Sequence, residues 1–177
     1  DQIRLDPYFR AAAAAQPDCA GALLDLVEVT VRTRLTLVHG DVSPKNILVG
    51  PRGPVFLDAE CATYGDPAFD IAFCLNHLLL KCVRRPQSTA DYLSCFDAFA
   101  AGNLKAARWE PRDGLEARCC ALLAGLLLAR IDGKSPVEYI TDEAEKNRVR
   151  RFARRFLQRP AGRLEVLRAA WAEEWQA

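Results

Sequence analysis

The stretch Leu37-Val-His-Gly-Asp-Val-Ser-Pro-Lys-Asn-Ile-Leu-Val49 decides the fold of this chain. It places Asn46 five residues after Asp41 and ends in a short apolar run. The turn-forming sequence Gly50-Pro-Arg-Gly-Pro54 follows, and a second apolar run, Val55-Phe-Leu57, comes directly after it. Two apolar runs joined by a glycine- and proline-rich turn predict a β-hairpin.

Polar side chains stand at both ends of this predicted hairpin. Asn46 precedes the first strand and Asp58 follows the second, so antiparallel pairing should bring the two residues close together. Amide and carboxylate oxygens suit Mg²⁺, which takes one or two carboxylates together with phosphates and water. Asp41 lies just outside this pair and can accept the proton of a hydroxyl during phosphoryl transfer. Each of these residues taken alone is also typical of a turn or a helix cap.

The rest of the chain has mostly helical periodicity. Apolar spacing and capping residues predict a mainly α fold with a small β-hairpin (α+β). We expect residues 1–177 to form a single domain, with the loop and metal-binding hairpin at 36–60 and a helical subdomain at 67–177. The predicted helices cover residues 7–15, 20–34, 67–81, 89–101, 113–131, 142–158 and 163–175, and the predicted strands cover 36–38, 47–49 and 55–57.

Composition excludes several classes of protein. The 177 residues carry a formal net charge of +1, so no overall field attracts nucleic acid or an anionic membrane. The longest apolar run, Cys119 to Ala129, is eleven residues long, whereas a membrane-spanning helix needs about 20. No signal-peptide pattern is visible, and the seven cysteines include no Cys-x-x-Cys pair. We therefore expect a cytoplasmic protein with no nucleic-acid or membrane partner.

Three consecutive motifs carry a family resemblance. They are His39-Gly-Asp-Val-Ser-Pro-Lys-Asn46, Leu57-Asp-Ala-Glu60 and Gly65-Asp-Pro-Ala-Phe-Asp-Ile-Ala72. In this order they resemble the aminoglycoside phosphotransferase family, which is related, with choline kinase and methylthioribose kinase, to the eukaryotic protein kinases. Protein kinases have Arg where Gly40 stands and Asp-Phe-Gly where this chain has Asp-Ala-Glu. The departures favour a small-molecule kinase over a protein kinase.

The resemblance implies roles for the residues at the hairpin. Asp41 matches the catalytic aspartate, and Asn46 and Asp58 match the magnesium ligands. Mg²⁺ is then the expected cofactor, and ATP the expected co-substrate. The implied reaction moves the γ-phosphoryl group to a hydroxyl of a small molecule, an aminoglycoside or another small alcohol.

Further residues match supporting positions of the family. Glu60 is expected to assist metal or water binding. Asp70 resembles the helix aspartate that hydrogen-bonds the catalytic loop from behind, and His39 is expected to fix the shape of that loop. Lys45 is either a phosphate contact or a solvated surface lysine.

The resemblance does not cover the family's N-terminal lobe, a small antiparallel sheet that carries a nucleotide-binding loop and a lysine. Some 35 residues precede the first motif, they have helical patterns, and Lys45 is the first lysine of the chain. We therefore expect the C-terminal lobe of a protein-kinase-like fold, with the N-terminal nucleotide-binding sheet lobe absent. Phosphoryl transfer depends mainly on positioning, so we also expect little turnover from this chain alone.

Two alternatives to an enzyme lobe remain open at this stage. One is a non-catalytic, pseudokinase-like binding module, and the other is a truncated fragment that associates with itself through the face left by the missing lobe. Exposed apolar surface would be the sign of such a face. The intact Asp41, Asn46 and Asp58 favour the enzyme.

Charged clusters in the C-terminal half leave the acceptor undecided. Residues 146–159 hold seven basic side chains and no acid, which indicates either a phosphate-binding or nucleic-acid-binding face or the solvated side of an amphipathic helix. Asp132 and the cluster Asp142, Glu143 and Glu145 can bind a cationic acceptor or can lie at helix ends.

Overall fold

The computed structural model describes residues 5–176, so the ends of the predicted 1–177 domain, residues 1–4 and 177, lie outside it. In the described part the fold is mainly helical with two small antiparallel sheets, which confirms the predicted class. A π-helical turn, Asp6–Arg10, leads into the first helix. The helices are α1 (Ala11–Ala15), α2 (Ala20–Arg32), α3 (Pro67–Arg84), α4 (Thr89–Ala106), α5 (Arg112–Asp132), α6 (Glu143–Gln158) and α7 (Leu164–Gln176).

Four short strands form two separate two-stranded sheets. They are β1 (Thr36–Val38), β2 (Ile47–Gly50), β3 (Gly53–Phe56) and β4 (Thr63–Gly65). The predicted hairpin is β2–β3, with Ile47 opposite Phe56. Strand β4 is not predicted from the sequence, because Thr63-Tyr-Gly65 is not an apolar run. It pairs with β1 and places Leu37 opposite Tyr64.

Helix α3 lies between the strands and the core of the helical part. Asp66 caps its N-terminus by accepting a hydrogen bond from the Ala68 N–H at 3.0 Å, and Pro67 occupies the first turn, where no N–H donor is needed. Most of the helix is buried against α4 and α5. The longest apolar run of the sequence is in α5, where every residue from Leu122 to Ala129 is buried.

A buried ion-pair group joins the start of α3 to α5. The Arg118 guanidinium donates through Nε and Nη2 to the two carboxylate oxygens of Asp66, at 2.9 and 3.0 Å. It also donates to both carboxylate oxygens of Glu110, at 2.7 and 2.8 Å. These contacts compensate the burial of the Asp66 carboxylate, which is fully enclosed, and they fix the direction in which α3 leaves β4.

The other helix ends agree with the predictions to within a few residues. Gly133 follows α5 in an extended conformation with φ of −82°. A Cβ at this position would lie 2.5 Å from the Ala129 carbonyl oxygen, so glycine is needed for close approach and not for a left-handed turn. In the described part of the chain, no helix is both long and apolar enough to cross a membrane.

Candidate active site

The segment between β1 and β2 is tied to the first turn of α3. The N–H groups of His39 and Gly40 donate to the two carboxylate oxygens of Asp70, at 2.6 and 2.8 Å. Burial raises the pKa of the Asp70 carboxyl, and the neighbouring Asp41 charge also raises it, while the two N–H bonds oppose the shift. Asp70 therefore holds the backbone on one side of this loop with its two oxygens.

The His39 ring connects the same loop to the end of the hairpin. Its Nδ1 accepts from the Asp41 N–H at 3.2 Å, and its Nε2 lies 3.0 Å from the Leu57 carbonyl oxygen. A carbonyl only accepts, so the tautomer consistent with both contacts has the proton on Nε2. The ring also packs near Phe56, with centroids 6.0 Å apart.

Asp41 and Asn46 are both buried and lie in direct contact. The Asn46 Nδ2 group donates to the Asp41 backbone carbonyl and to Asp41 Oδ2, each at 3.1 Å. A short 3-10 turn, Pro44–Asn46, produces this arrangement by folding the chain back onto Asp41. With its nitrogen turned to Asp41, the Asn46 amide has its oxygen as the atom that can bind a cation.

Asp58 is placed beside Asn46 by the hairpin register. The Leu57 N–H donates to the Asn46 carbonyl at 2.8 Å, and Asp58 is the next residue along the chain. Its backbone is left-handed, with φ of 63° and ψ of 54°, a conformation that is uncommon outside glycine and enriched in Asp and Asn. The Asp58 side chain is exposed, as are those of Glu60 and Lys45.

The donor set fits a magnesium site completed by phosphate. No group of three or more His, Cys, Asp or Glu residues able to hold a metal occurs within residues 5–176. Where a nucleotide supplies the remaining oxygens, Mg²⁺ nevertheless takes only about two protein ligands, and one amide and one carboxylate match that number. The arrangement can therefore hold a magnesium–nucleotide complex, but it does not form a cage for a bare ion.

Gly40 is required by the geometry, a point that the sequence motif does not reveal. Its φ is +77°, and a Cβ built on it would lie 2.8 Å from the Cys61 carbonyl oxygen. The loop thus passes directly against the turn that follows the hairpin, Ala59–Cys61. Sequence reasoning used Gly40 only to separate classes of kinase and missed this contact, since nothing in the spacing indicates which backbone atom approaches it.

Several other charged residues considered from the sequence form contacts elsewhere in the protein. Asp132 accepts from the Arg150 guanidinium at 2.8 Å and from Gln16 at 2.7 Å. Asp142 caps α6 through the N–H groups of Ala144 and Glu145. Within the basic segment of residues 146–159, five of the basic side chains also form ion pairs, as expected of an amphipathic helix that packs on the protein: Lys146, Arg148, Arg150, Arg151 and Arg154.

Comparison with protein-family models supplies the class to which this site belongs. The model of the phosphotransferase enzyme family, APH, matches residues 2–115, which include the loop, the hairpin and helices α3 and α4. The chain belongs to this family. No individual curated protein matches the chain. The family assignment supports phosphotransferase activity in general and leaves the acceptor open.

Proposed function

We propose that the protein is an ATP-dependent small-molecule kinase that transfers the γ-phosphoryl group to a hydroxyl, and that this chain is its C-terminal catalytic lobe. The observation that carries the proposal is the buried contact between Asp41 and Asn46 on a loop anchored by Asp70. In this proposal residues 36–60 form the catalytic loop and metal-binding hairpin, and residues 67–177 form the helical subdomain. Cytoplasmic location stays a prediction from the sequence.

Each polar group has a role that follows from its position. The Asp41 carboxylate accepts the proton of the acceptor hydroxyl, and the Asn46 Nδ2 contact fixes the rotamer in which it does so. The Asn46 Oδ1 and the Asp58 carboxylate hold Mg²⁺, with Glu60 near them. A Mg²⁺ ion held by these residues would supply positive charge next to the nucleotide phosphates.

Positioning residues keep this geometry in place. Asp70, on α3, binds two N–H groups of the loop, and the His39 ring, which belongs to the loop, contacts the Leu57 carbonyl oxygen just after β3. Lys45 is exposed four residues after Asp41 and can reach a phosphate group. Because most of this catalysis is positioning, we propose that the chain without a nucleotide-holding lobe turns over slowly or not at all.

The test is substitution of Asp41 in the full-length protein that contains this chain. We expect Asp41→Asn to lower kcat about 10²- to 10⁴-fold, the usual contribution of a general base, while the KM for nucleotide stays nearly constant. The measurement is magnesium-dependent nucleotide consumption in the presence of candidate alcohols. Asp25→Asn, an exposed carboxylate on α2, is the matched control and should leave both parameters unchanged.

A second variant separates the metal site from the base. Asn46→Ala should raise the Mg²⁺ concentration needed for half-maximal rate, which Asp41→Asn should not. A binding module without catalysis, the alternative to an enzyme, would show nucleotide binding but no turnover in either the unmodified protein or the variants. That result, or full activity of Asp41→Asn, contradicts the proposal.

A further inference from the structure

A cavity of about 270 Å³ lies beside the loop between β1 and β2. Its walls come from α2, from the paired strands β1 and β4, and from the start of α3, and the loop itself contributes Gly40. Small residues leave this space open, since Gly40, Ala62 and Gly65 have at most one side-chain carbon each. A cavity of about 150 Å³ is enough to hold benzene, so this one has room for an aromatic ring with a short side chain.

The cavity has an apolar floor and a polar rim. Leu5, Val38 and Phe69 line it and are only 4%, 5% and 5% exposed. Glu60 and Thr63 also line it and are exposed, so they mark the side that opens to solvent. A ligand that fits this arrangement places an apolar group inside and a polar group at the opening.

The charge that remains at the cavity is negative. Its described lining residues include two carboxylates, Glu60 and Asp66, and no Lys, Arg or His. Both oxygens of Asp66 accept from the Arg118 guanidinium, so that carboxylate is already balanced. Within residues 5–176, neither Glu60 nor the nearby Asp58 forms an ion pair. The rim therefore attracts a cationic group and repels an anionic one.

The hydrogen-bonding capacity of the wall has the same preference. The Thr30 hydroxyl donates its proton to the Leu26 carbonyl oxygen at 2.7 Å, so the Thr30 oxygen is left as an acceptor. The Glu60 carboxylate also only accepts. A ligand that donates hydrogen bonds, as an ammonium group does, matches both.

We propose that this cavity is a binding site for a small amphipathic amine, whose apolar ring packs on Val38 and Phe69 while its ammonium group binds Glu60. The site is separate from the proposed site of phosphoryl transfer, because the cavity is not lined by the proposed base or by the two proposed metal ligands. It touches the same loop through Gly40, so a bound amine lies against the segment that carries Asp41.

The test uses 2-phenylethylamine, which is a cation at neutral pH and has no hydroxyl to phosphorylate. Its binding to the full-length protein that contains this chain is measured by titration calorimetry without nucleotide or metal. Phenylacetate should bind about three- to tenfold more weakly, since it carries the opposite charge to the same rim. Ethylamine should bind about tenfold more weakly or less, because it lacks the ring that the apolar floor buries.

Two pairs of matched variants locate the binding. Glu60→Gln should weaken 2-phenylethylamine binding about two- to fivefold, as loss of an exposed charge pair does, whereas Glu165→Gln, an exposed carboxylate on α7, should not change it. Ala62→Phe fills the cavity from its exposed side and should abolish binding, and Ala90→Phe, at an exposed position on α4, controls for the added ring.

Two cysteines report the position of the bound amine within the chain. Cys61 lines the cavity and should react more slowly with iodoacetamide when 2-phenylethylamine is bound, whereas Cys95, exposed on α4, should react at the same rate. The inference is overturned if phenylacetate binds as tightly as the amine, if the two glutamate variants behave alike, or if Ala62→Phe leaves the affinity unchanged.

This outcome is independent of the kinase assay. Amine binding that depends on Glu60 in a protein without turnover supports the cavity site and contradicts only the kinase. Turnover that depends on Asp41 in a protein that binds no 2-phenylethylamine supports the kinase and contradicts the cavity site.

Discussion

At the scale of single residues, Gly40 shows how closely the loop between β1 and β2 approaches its neighbours. Its positive φ and the 2.8 Å approach to the Cys61 carbonyl oxygen exclude a side chain. We expect Gly40→Ala to destabilise the protein by about 1–3 kcal/mol, through backbone strain and displacement of the loop. Chemical denaturation gives the free energy of unfolding.

Gly102→Ala is the control for this prediction. Gly102 lies within α4 with no atom near its Cβ position, so alanine there should stabilise the protein by up to about 1 kcal/mol. If both variants changed stability in the same direction, the close approach at Gly40 would not be the cause.

His77 makes stability depend on pH. Burial lowers its pKa from an ordinary 6.5 to about 3 on folding, so between these values the unfolded state binds more protons. The free energy of unfolding should therefore decrease as the pH falls from about 6.5 to 3, with a contribution approaching about 1.4 kcal/mol per pH unit. His77→Gln should remove this part of the slope, measured by urea denaturation at pH 7 and pH 4. An unchanged slope in the variant would show that other groups produce it.

At the scale of elements, Arg118 fixes the junction between β4 and α3. Replacing it by Met leaves the enclosed Asp66 carboxylate without a counter-charge, which costs about 3–5 kcal/mol in comparable buried pairs. The free energy of unfolding of Arg118→Met should decrease by that amount. Arg32→Met, which removes an exposed pair with Glu28 on α2, should cost less than about 1 kcal/mol. Equal losses of unfolding free energy in the two variants would show that the burial of Asp66 does not determine the cost of removing Arg118.

The elements also show what the sequence could and could not predict. The β2–β3 hairpin and the cap at Asp66 follow from local signals, namely a Gly/Pro turn and a cap followed by proline. Strand β4 and the Arg118 contacts depend on residues far apart in the chain, and a single sequence does not reveal such pairing. The same distinction applies to the site. The spacing of Asp41 and Asn46 indicated a shared loop, but the contact of Gly40 with Cys61 required the folded chain.

At the scale of the whole molecule, the strands expose apolar side chains away from the helical core. Val49 is 85% exposed and Leu37 73% exposed, and Tyr64, opposite Leu37, is 60% exposed. Exposed apolar area of this kind is typical of a surface that binds another protein surface. We predict that this chain associates with itself at high concentration and that Val49→Lys weakens the association, measured by sedimentation velocity. Ala90→Lys, an exposed position on α4, controls for the added charge. A monomer at all concentrations would contradict the prediction.

The attachment of the loop to α3 has a consequence for local motion. His39 and Gly40 have no regular secondary structure, yet their amide hydrogens are bound to a helix and not to a neighbouring strand. Their exchange with solvent deuterium therefore reports the opening of the first turn of α3. A segment without regular secondary structure should therefore show the protection of a helix end, and the arrangement around Asp41 should open when that turn frays.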